Sequence, residues 1–319
     1  MKRSPLSSSS LPNSIRMYQA QVNGAGEAPK YTSVAMPAVP GPEDVRIKVQ
    51  ATGVHRLVRS RASGQHYSAD HFPIVPGVDG VGSLDNGQLV YWMSLDVGAM
   101  AEYINIPKRN IRALPEGADP VQVSALVNPA MSSFMAIKAR TTDLPKDFTT
   151  LIVGATSASG RVAAAAARYL GAGTVIGAAR NKEALQSLGL DETVLLKEQP
   201  TETDWTALGD VDLILDYCYG PVAVHLLQSL RSARPVQYVH IGGLSGTDIS
   251  LPGSVLRSKD LTIRGSGAGA WRLKDVAKVL DEILDLVKGL PKEVIRTAKL
   301  EDVEDAWMAE GGDRLVIVM

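Results

Sequence analysis

The stretch that most narrows what this chain can fold into is LIVGATSASGR, residues 151–161. An apolar run too short for a helix leads into Gly154, and an alanine-rich run, VAAAAARYL, opens just after Gly160. A strand that turns through small residues into a helix aims the free N–H groups of the first helical turn at one point, and the helix dipole adds attraction for an anion. Ala155, Ser157, Ala158 and Ser159 leave room for a diphosphate beside the backbone, and the hydroxyls of Thr156, Ser157 and Ser159 can donate to it. Gly154, Thr156, Ser157, Ala158, Ser159, Gly160 and Arg161 are therefore candidate phosphate-binding residues. The spacing departs from G-x-G-x-x-G, so taken alone it also fits an ordinary tight β–α turn.

The residues that follow extend the pattern. A strand TVIGAA, a helix, a strand VDLILDY, a helix PVAVHLLQSL and the strands VQYVHIGG and LTIRGS come in order. Such alternation favours a parallel sheet with right-handed crossovers. TVIGAA ends in Arg180-Asn181-Lys182, roughly 20 residues past Gly160, where an NAD-binding unit carries an acidic residue for the ribose 2′-hydroxyl. Two cations and no carboxylate suit a 2′-phosphate, which favours NADPH over NADH. The plain alternative is a solvated basic helix start.

Material of a different kind lies on both sides. From Met17 to about residue 120 short apolar pieces are punctuated by glycine and proline, as in VRIKVQATGV, FPIVPGVDGVGSL and MAEYINIP, which reads as an irregular, partly barrel-like β domain. VQVSALVNPAMSSFMAIKAR reads as a helix, and the tail adds helix, strand, helix, strand. At 319 residues the chain suits about two domains. A formal charge of -1 gives no basic surface that would suggest nucleic acid, and no long apolar run suggests a membrane partner: 162–179 is broken by Arg168. The first 16 residues are serine-rich and basic. They fit a disordered tail on a cytoplasmic protein, or a mitochondrial import signal in which Pro5 and Pro12 would interrupt the helix.

Taken together, VRIKVQATGVHR, VPGVDGVG, MAEY, LVNPAMSS, VGATSASGR, VDLILDY, HIGG and LRSKDLTIRGSG resemble, in order, the zinc-free quinone oxidoreductase branch of the medium-chain dehydrogenase/reductase superfamily. The resemblance implies an α/β fold: a Rossmann doubly wound sheet (123–270) inserted into a GroES-like, mostly β catalytic domain (1–122 and 271–319), with substrate in the cleft between them. It implies an NADPH-dependent oxidoreductase that passes hydride to a small-molecule quinone, enone or carbonyl. It also implies a homodimer joined through copies of LTIRGSG. A non-redox cyclase or isomerase, or a nucleotide-sensing protein, is the alternative on the same scaffold, motivated by Ser157 and Ala158 where relatives carry glycines. The region 84–100 is short, which could open the cleft.

Zinc-containing relatives place a cysteine where this chain has His55, and a His-Glu pair where it has Val78-Asp79. Cys218 is the one cysteine, and His55, His66, Asp70 and His71 follow no known ligand spacing, so no metal is expected. The acceptor oxygen would then be polarised by hydrogen-bond donors. The resemblance places Tyr67, His55 and Asn128 on the substrate side; His55, beside Arg56 and Arg59, reads as lying on a polar turn. Asn128 could instead brace a helix start. The resemblance further assigns Gly242, Gly243, Gly265, Ser266 and Gly267 to the nicotinamide half of the cofactor. Arg314 falls to the diphosphate, with a surface cation as its plain reading.

Overall fold

The structure is a computed structural model that describes residues 15–66, 71–309 and 314–319. The chain opens with β1 (Arg16–Gln21), β2 (Lys30–Ala35), β3 (Asp44–Val54), α1 (Arg56–Ala62), β4 (Asp79–Ser83), β5 (Leu89–Met93), β6 (Tyr103–Pro107) and β7 (Ile111–Ala113). A long helix, α2 (Pro120–Arg140), leads into β8 (Thr149–Val153), α3 (Ala158–Tyr169), β9 (Thr174–Ala179), α4 (Lys182–Gln186) and β10 (Glu192–Leu195). Next come β11 (Leu213–Asp216), α5 (Gly220–Ser229), β12 (Val236–His240), α6 (Gly253–Ser258) and β13 (Leu261–Gly265). The tail supplies α7 (Leu273–Gly289), β14 (Ile295–Lys299), α8 (Val303–Met308) and β15 (Arg314–Val318).

Contacts divide these elements into two compact units. One comprises 1–114, 119–125 and 294–319; the other comprises 115–118 and 126–293. The second runs on to 293 and so holds α7, whereas the sequence suggested a boundary near 271. The expected tail at 1–16 lies almost wholly outside the described residues, as does Tyr67. Among the described residues no helix is long and apolar enough to cross a membrane.

The first unit is organised on β3. Its first half pairs with β6, its middle with β4 across an irregularity between Val49 and Ala51, and its end with β15. The last strand of the chain thus completes a sheet begun near its start. The seven strands run β14-β15-β3-β4-β5-β7, with β6 also on β3. Ile47 and Val49 pack with Trp92 and Ile106, while Val54 packs with Val78, Leu315 and Ile317.

The second unit is a six-stranded parallel sheet in the order β10-β9-β8-β11-β12-β13. Counted from β8, this is the 3-2-1-4-5-6 order of a doubly wound dinucleotide-binding fold, whose ligands sit beyond the carboxyl ends of the strands where the order reverses. Alternation along each strand feeds two apolar layers. Leu151, Val153, Ile176 and Ile214 belong to one; Ile152, Val175, Leu213 and Leu215 belong to the other. Gly160, Ala163 and Ala167 of α3 recur at helical spacing on its buried face, and their small size lets the helix lie close on the sheet.

In α2, Asp119 caps the first turn by accepting from the amides of Val121 and Gln122, at 2.9 and 3.3 Å. Pro129 lies inside the helix and has no N–H to give the carbonyl four residues back. That carbonyl, Ala125 O, instead accepts from Arg314 Nη1 at 2.7 Å. The arginine assigned by resemblance to the diphosphate therefore has a structural post at a proline gap. Replacing it with methionine should cost on the order of 1–3 kcal/mol of stability. The loss should shrink in a Pro129→Ala background, where residue 129 regains its own donor. Thermal unfolding of the two single variants and the double variant measures the coupling; equal losses in both backgrounds would refute it.

Candidate active site

The turn after β8 is held by the sheet. The amides of Gly154 and Ala155 both donate to Ala178 O, at 2.8 and 3.1 Å. Gly154 has φ +91°, and a Cβ there would lie 3.1 Å from Cys218 Sγ and 3.3 Å from Tyr217 Cβ, so glycine is required on two counts. Gly160 plays the packing role: a Cβ on it would come within 2.2 Å of Gly154 O. Ser157 caps α3, its hydroxyl oxygen accepting from Gly160 N at 3.0 Å. The side chain that replaces a glycine thus satisfies one of the helix's orphan donors.

The cap leads into a cavity of about 500 Å³ at the carboxyl ends of β8, β9, β10 and β11. Gly154, Thr156 and Ser157 line it on one side, and Arg180 and Asn181 on another. Arg180 is mostly exposed and stands 3.9 Å from Glu198, an ion pair that solvent and salt leave weak. Asn181 caps α4 by accepting from Ala184 N at 2.9 Å. Lys182 does not line this cavity; Lys197 does, together with Glu198. Sequence reasoning missed both because they follow β10 and not β9, 17 and 18 positions beyond Arg180 in the chain. Arg161 is also placed differently from the phosphate expectation: Nη1 donates to Thr156 O at 3.2 Å, and Nη2 stands 3.3 Å from Glu293. Ala158 and Ser159 begin α3 without lining the cavity.

The opposite wall is set by Asp216, fully buried at the end of β11. Its carboxylate accepts from Cys218 N at 2.7 Å, from Tyr219 N at 3.0 Å and from the hydroxyl of Tyr238. Burial raises its pKa, while these hydrogen bonds pull it back down. The bonds hold Tyr219 at φ +58°, a left-handed conformation costly for a tyrosine, and its ring stacks on His240 with centroids 3.9 Å apart. Cys218 consequently faces the cavity as a neutral thiol: burial, then the Asp216 charge, push its pKa up to about 11.

Of the glycines assigned to the nicotinamide half, Gly242 and Gly243 serve close backbone approach. Gly242 N donates to Asp216 O at 3.2 Å, and a Cβ on Gly243 would meet Gly246 O at 2.7 Å. Nothing stands within 4 Å of where a Cβ on Gly265 or Gly267 would lie. Ser266 N donates to His240 O at 2.8 Å, and Ser266 Oγ accepts from Trp271 Nε1 at 3.0 Å.

Of the proposed proton donors, Asn128 sits half-buried within α2, beside Pro129. His55 is not on a polar turn. It precedes α1 with its side chain only 7% exposed, and its Nε2 lies 3.1 Å from Asp79 Oδ1. Arg56 is exposed, whereas the Arg59 guanidinium lies over the Trp307 ring, 4.7 Å from its centroid, and donates to Trp307 O. Among the described residues no three His, Cys, Asp or Glu side chains gather as a metal site would need; Asp70 lies outside them.

No family model matches the chain. Over 343 aligned residues it is 34% identical to a probable NADPH-dependent quinone reductase, tdiC, of Emericella nidulans, covering 91% of this chain and 96% of that protein. It is 23% identical to quinone oxidoreductase-like protein 2 of Bos taurus, across 92% of this chain and 89% of the other. The quinone oxidoreductase of Thermus thermophilus shares the fold with a TM-score of 0.78 at 22% identity, over 95% of this chain and 100% of that one. With the 3-2-1-4-5-6 sheet, the glycine-held turn and this likeness over nearly its whole length, the chain belongs to the quinone oxidoreductase branch of the medium-chain dehydrogenase/reductase superfamily.

Proposed function

We propose that the protein is an NADPH-dependent oxidoreductase that reduces a quinone, enone or carbonyl compound. The observation that carries the cofactor half is Arg180 at the end of β9, with Lys197 as a second cation in the same cavity and no carboxylate at the strand end itself. The glycine cradle at Gly154 and the capped start of α3 fit a diphosphate. The names of the relatives supply the acceptor class.

When bound, NADPH supplies the hydride. The chain's own residues bind and orient. Arg180 and Lys197 pair with the 2′-phosphate, and Thr156 and Ser157 line the path of the diphosphate. The glycines at 242, 243, 265 and 267 keep the backbone open to the nicotinamide half. Hydrogen-bond donors on the substrate side, from the candidates His55, Tyr67 and Asn128, polarise the acceptor oxygen. The unit pairs with a second copy through β13, an edge strand on which Ile263 is exposed.

Incubation with NADPH and a panel of quinones and enones should consume reduced nicotinamide in step with acceptor; binding of NADPH without turnover on any acceptor would contradict the reading. Arg180→Ala should raise KM for NADPH about 10- to 100-fold, the loss of one charge-assisted contact. KM for NADH should stay within about threefold. Glu198→Gln should lower KM for NADPH by a few-fold, because a carboxylate beside the phosphate is removed. An unchanged ratio of NADPH to NADH efficiency in Arg180→Ala would contradict the assignment.

A further inference from the structure

The cavity at the carboxyl ends of β8, β9, β10 and β11 carries a group that the binding of NADPH does not use. Among the described residues that line it, Glu198 is the one acid. It reaches this place because β10 runs parallel to β9 with Leu195 opposite Ala179, which brings the residues after both strands to the same edge of the sheet. Two hydrogen bonds hold the chain there. Leu196 N donates to Ala179 O at 2.9 Å, and Lys197 N donates to the hydroxyl oxygen of Thr203 at 3.1 Å. Thr203 is itself buried, and its carbonyl accepts from His225 Nε2 of α5 at 3.1 Å. A single helical turn, Pro200–Glu202, lies between these anchors. The segment that carries Lys197 and Glu198 is thus pinned on both sides.

In a doubly wound fold the end of the second strand addresses the ribose 2′ position, with a carboxylate for a hydroxyl or an arginine for a phosphate. Here Arg180 follows that strand. Glu198 Oε2 stands 3.9 Å from Arg180 Nη1, so an acid and a cation reach one ribose position from neighbouring strands. That separation is beyond hydrogen-bond length, and the two side chains are 87% and 73% exposed. The acceptors of one and the donors of the other therefore stay open to a ligand. A 2′-phosphate is attracted by Arg180 and repelled by Glu198. A 2′-hydroxyl carries no charge for Arg180 to hold but can donate to the carboxylate. The same acid thus acts with opposite sign on the two nucleotides.

Resting on the cofactor reading above, we propose that Glu198 holds the adenosine 2′-hydroxyl of NADH, so that the cavity takes NADH as a second, weaker ligand. Arg180 and Lys197 set the preference for NADPH, and Glu198 sets how much NADH is admitted. The Arg180–Glu198 pair gives way to either nucleotide: the phosphate takes the guanidinium, or the hydroxyl takes the carboxylate. An acid that served only as a counter-ion for Arg180 would oppose NADPH and leave NADH unaffected.

Calorimetric titration of the full chain and of Glu198→Ala with both nucleotides tests this without requiring turnover. The side chain is exposed, so its removal leaves the packing intact. Kd for NADH should rise about 3- to 10-fold, the loss of a charge-assisted hydrogen bond at an exposed position. Kd for NADPH should fall by a few-fold, because a like charge is removed. A reduced dinucleotide lacking the adenosine 2′-hydroxyl, 2′-deoxy-NADH, separates the contact from the general field of the acid. The unmodified protein should bind it as weakly as Glu198→Ala binds NADH, and Glu198→Ala should leave its Kd within about twofold. No NADH binding by the unmodified protein, an unchanged NADH affinity in Glu198→Ala, or an equal loss for the deoxy nucleotide would overturn this inference alone, with the NADPH reading intact. Binding of neither nucleotide by the unmodified protein would overturn the cofactor reading, and this inference with it.

Discussion

Everything proposed for the cofactor depends on one close approach, the contact of Gly160 with the carbonyl of Gly154. No side chain fits between them, since a Cβ would lie 2.2 Å from that oxygen. The contact brings the start of α3 down onto the end of β8 and fixes where the helix dipole points. Every alanine on the buried face of the helix follows from the same requirement of proximity. The Ser157 cap then replaces a donor that a glycine turn would leave free for ligand, so the chain gives up one backbone amide and keeps a hydroxyl.

Asp216 does for the far wall what Gly160 does for the near one. A buried carboxylate is expensive unless its oxygens are occupied, and here two amides and a phenol occupy them. The free energy that satisfies it also holds Tyr219 in a backbone conformation a tyrosine would not otherwise keep. Asp79 repeats the device in the other unit, with Tyr91 and His55 as the donors. In both places a buried carboxylate serves as an anchor for the groups that donate to it. At Asp79 the anchored group is the His55 imidazole, whose Nδ1 is buried with no hydrogen-bond partner among the described residues.

Much of this was legible in the sequence because it is written locally. The strand-turn-helix at 151–161, the β–α alternation and Arg180 at a strand end are patterns within a few tens of residues, and the doubly wound sheet follows from them. The return of the tail to complete the first sheet was implied by family resemblance and is carried by the pairing of β15 with β3. What escaped depends on pairing register and on side-chain direction. By resemblance His55 and Asp79 stand where zinc-containing relatives hold ligands, but nothing in their spacing reveals that they bond to each other or that Tyr91 joins them. Lys197 enters the cavity only because β10 lies beside β9. The resemblance alone assigns Arg314 to the diphosphate; the carbonyl it serves, Ala125 O, lacks a helical donor because of a proline 185 positions earlier in the chain.

The central claim is that the cavity at the carboxyl ends of β8 and β9 selects a nucleotide by its 2′-phosphate. Calorimetric titration of the unmodified protein with NADPH and with NADH, at one ionic strength, tests this most directly. Binding of NADPH at least about tenfold tighter, with the difference shrinking as salt is raised, is the expected result. Equal affinities, or tighter binding of NADH, would contradict it.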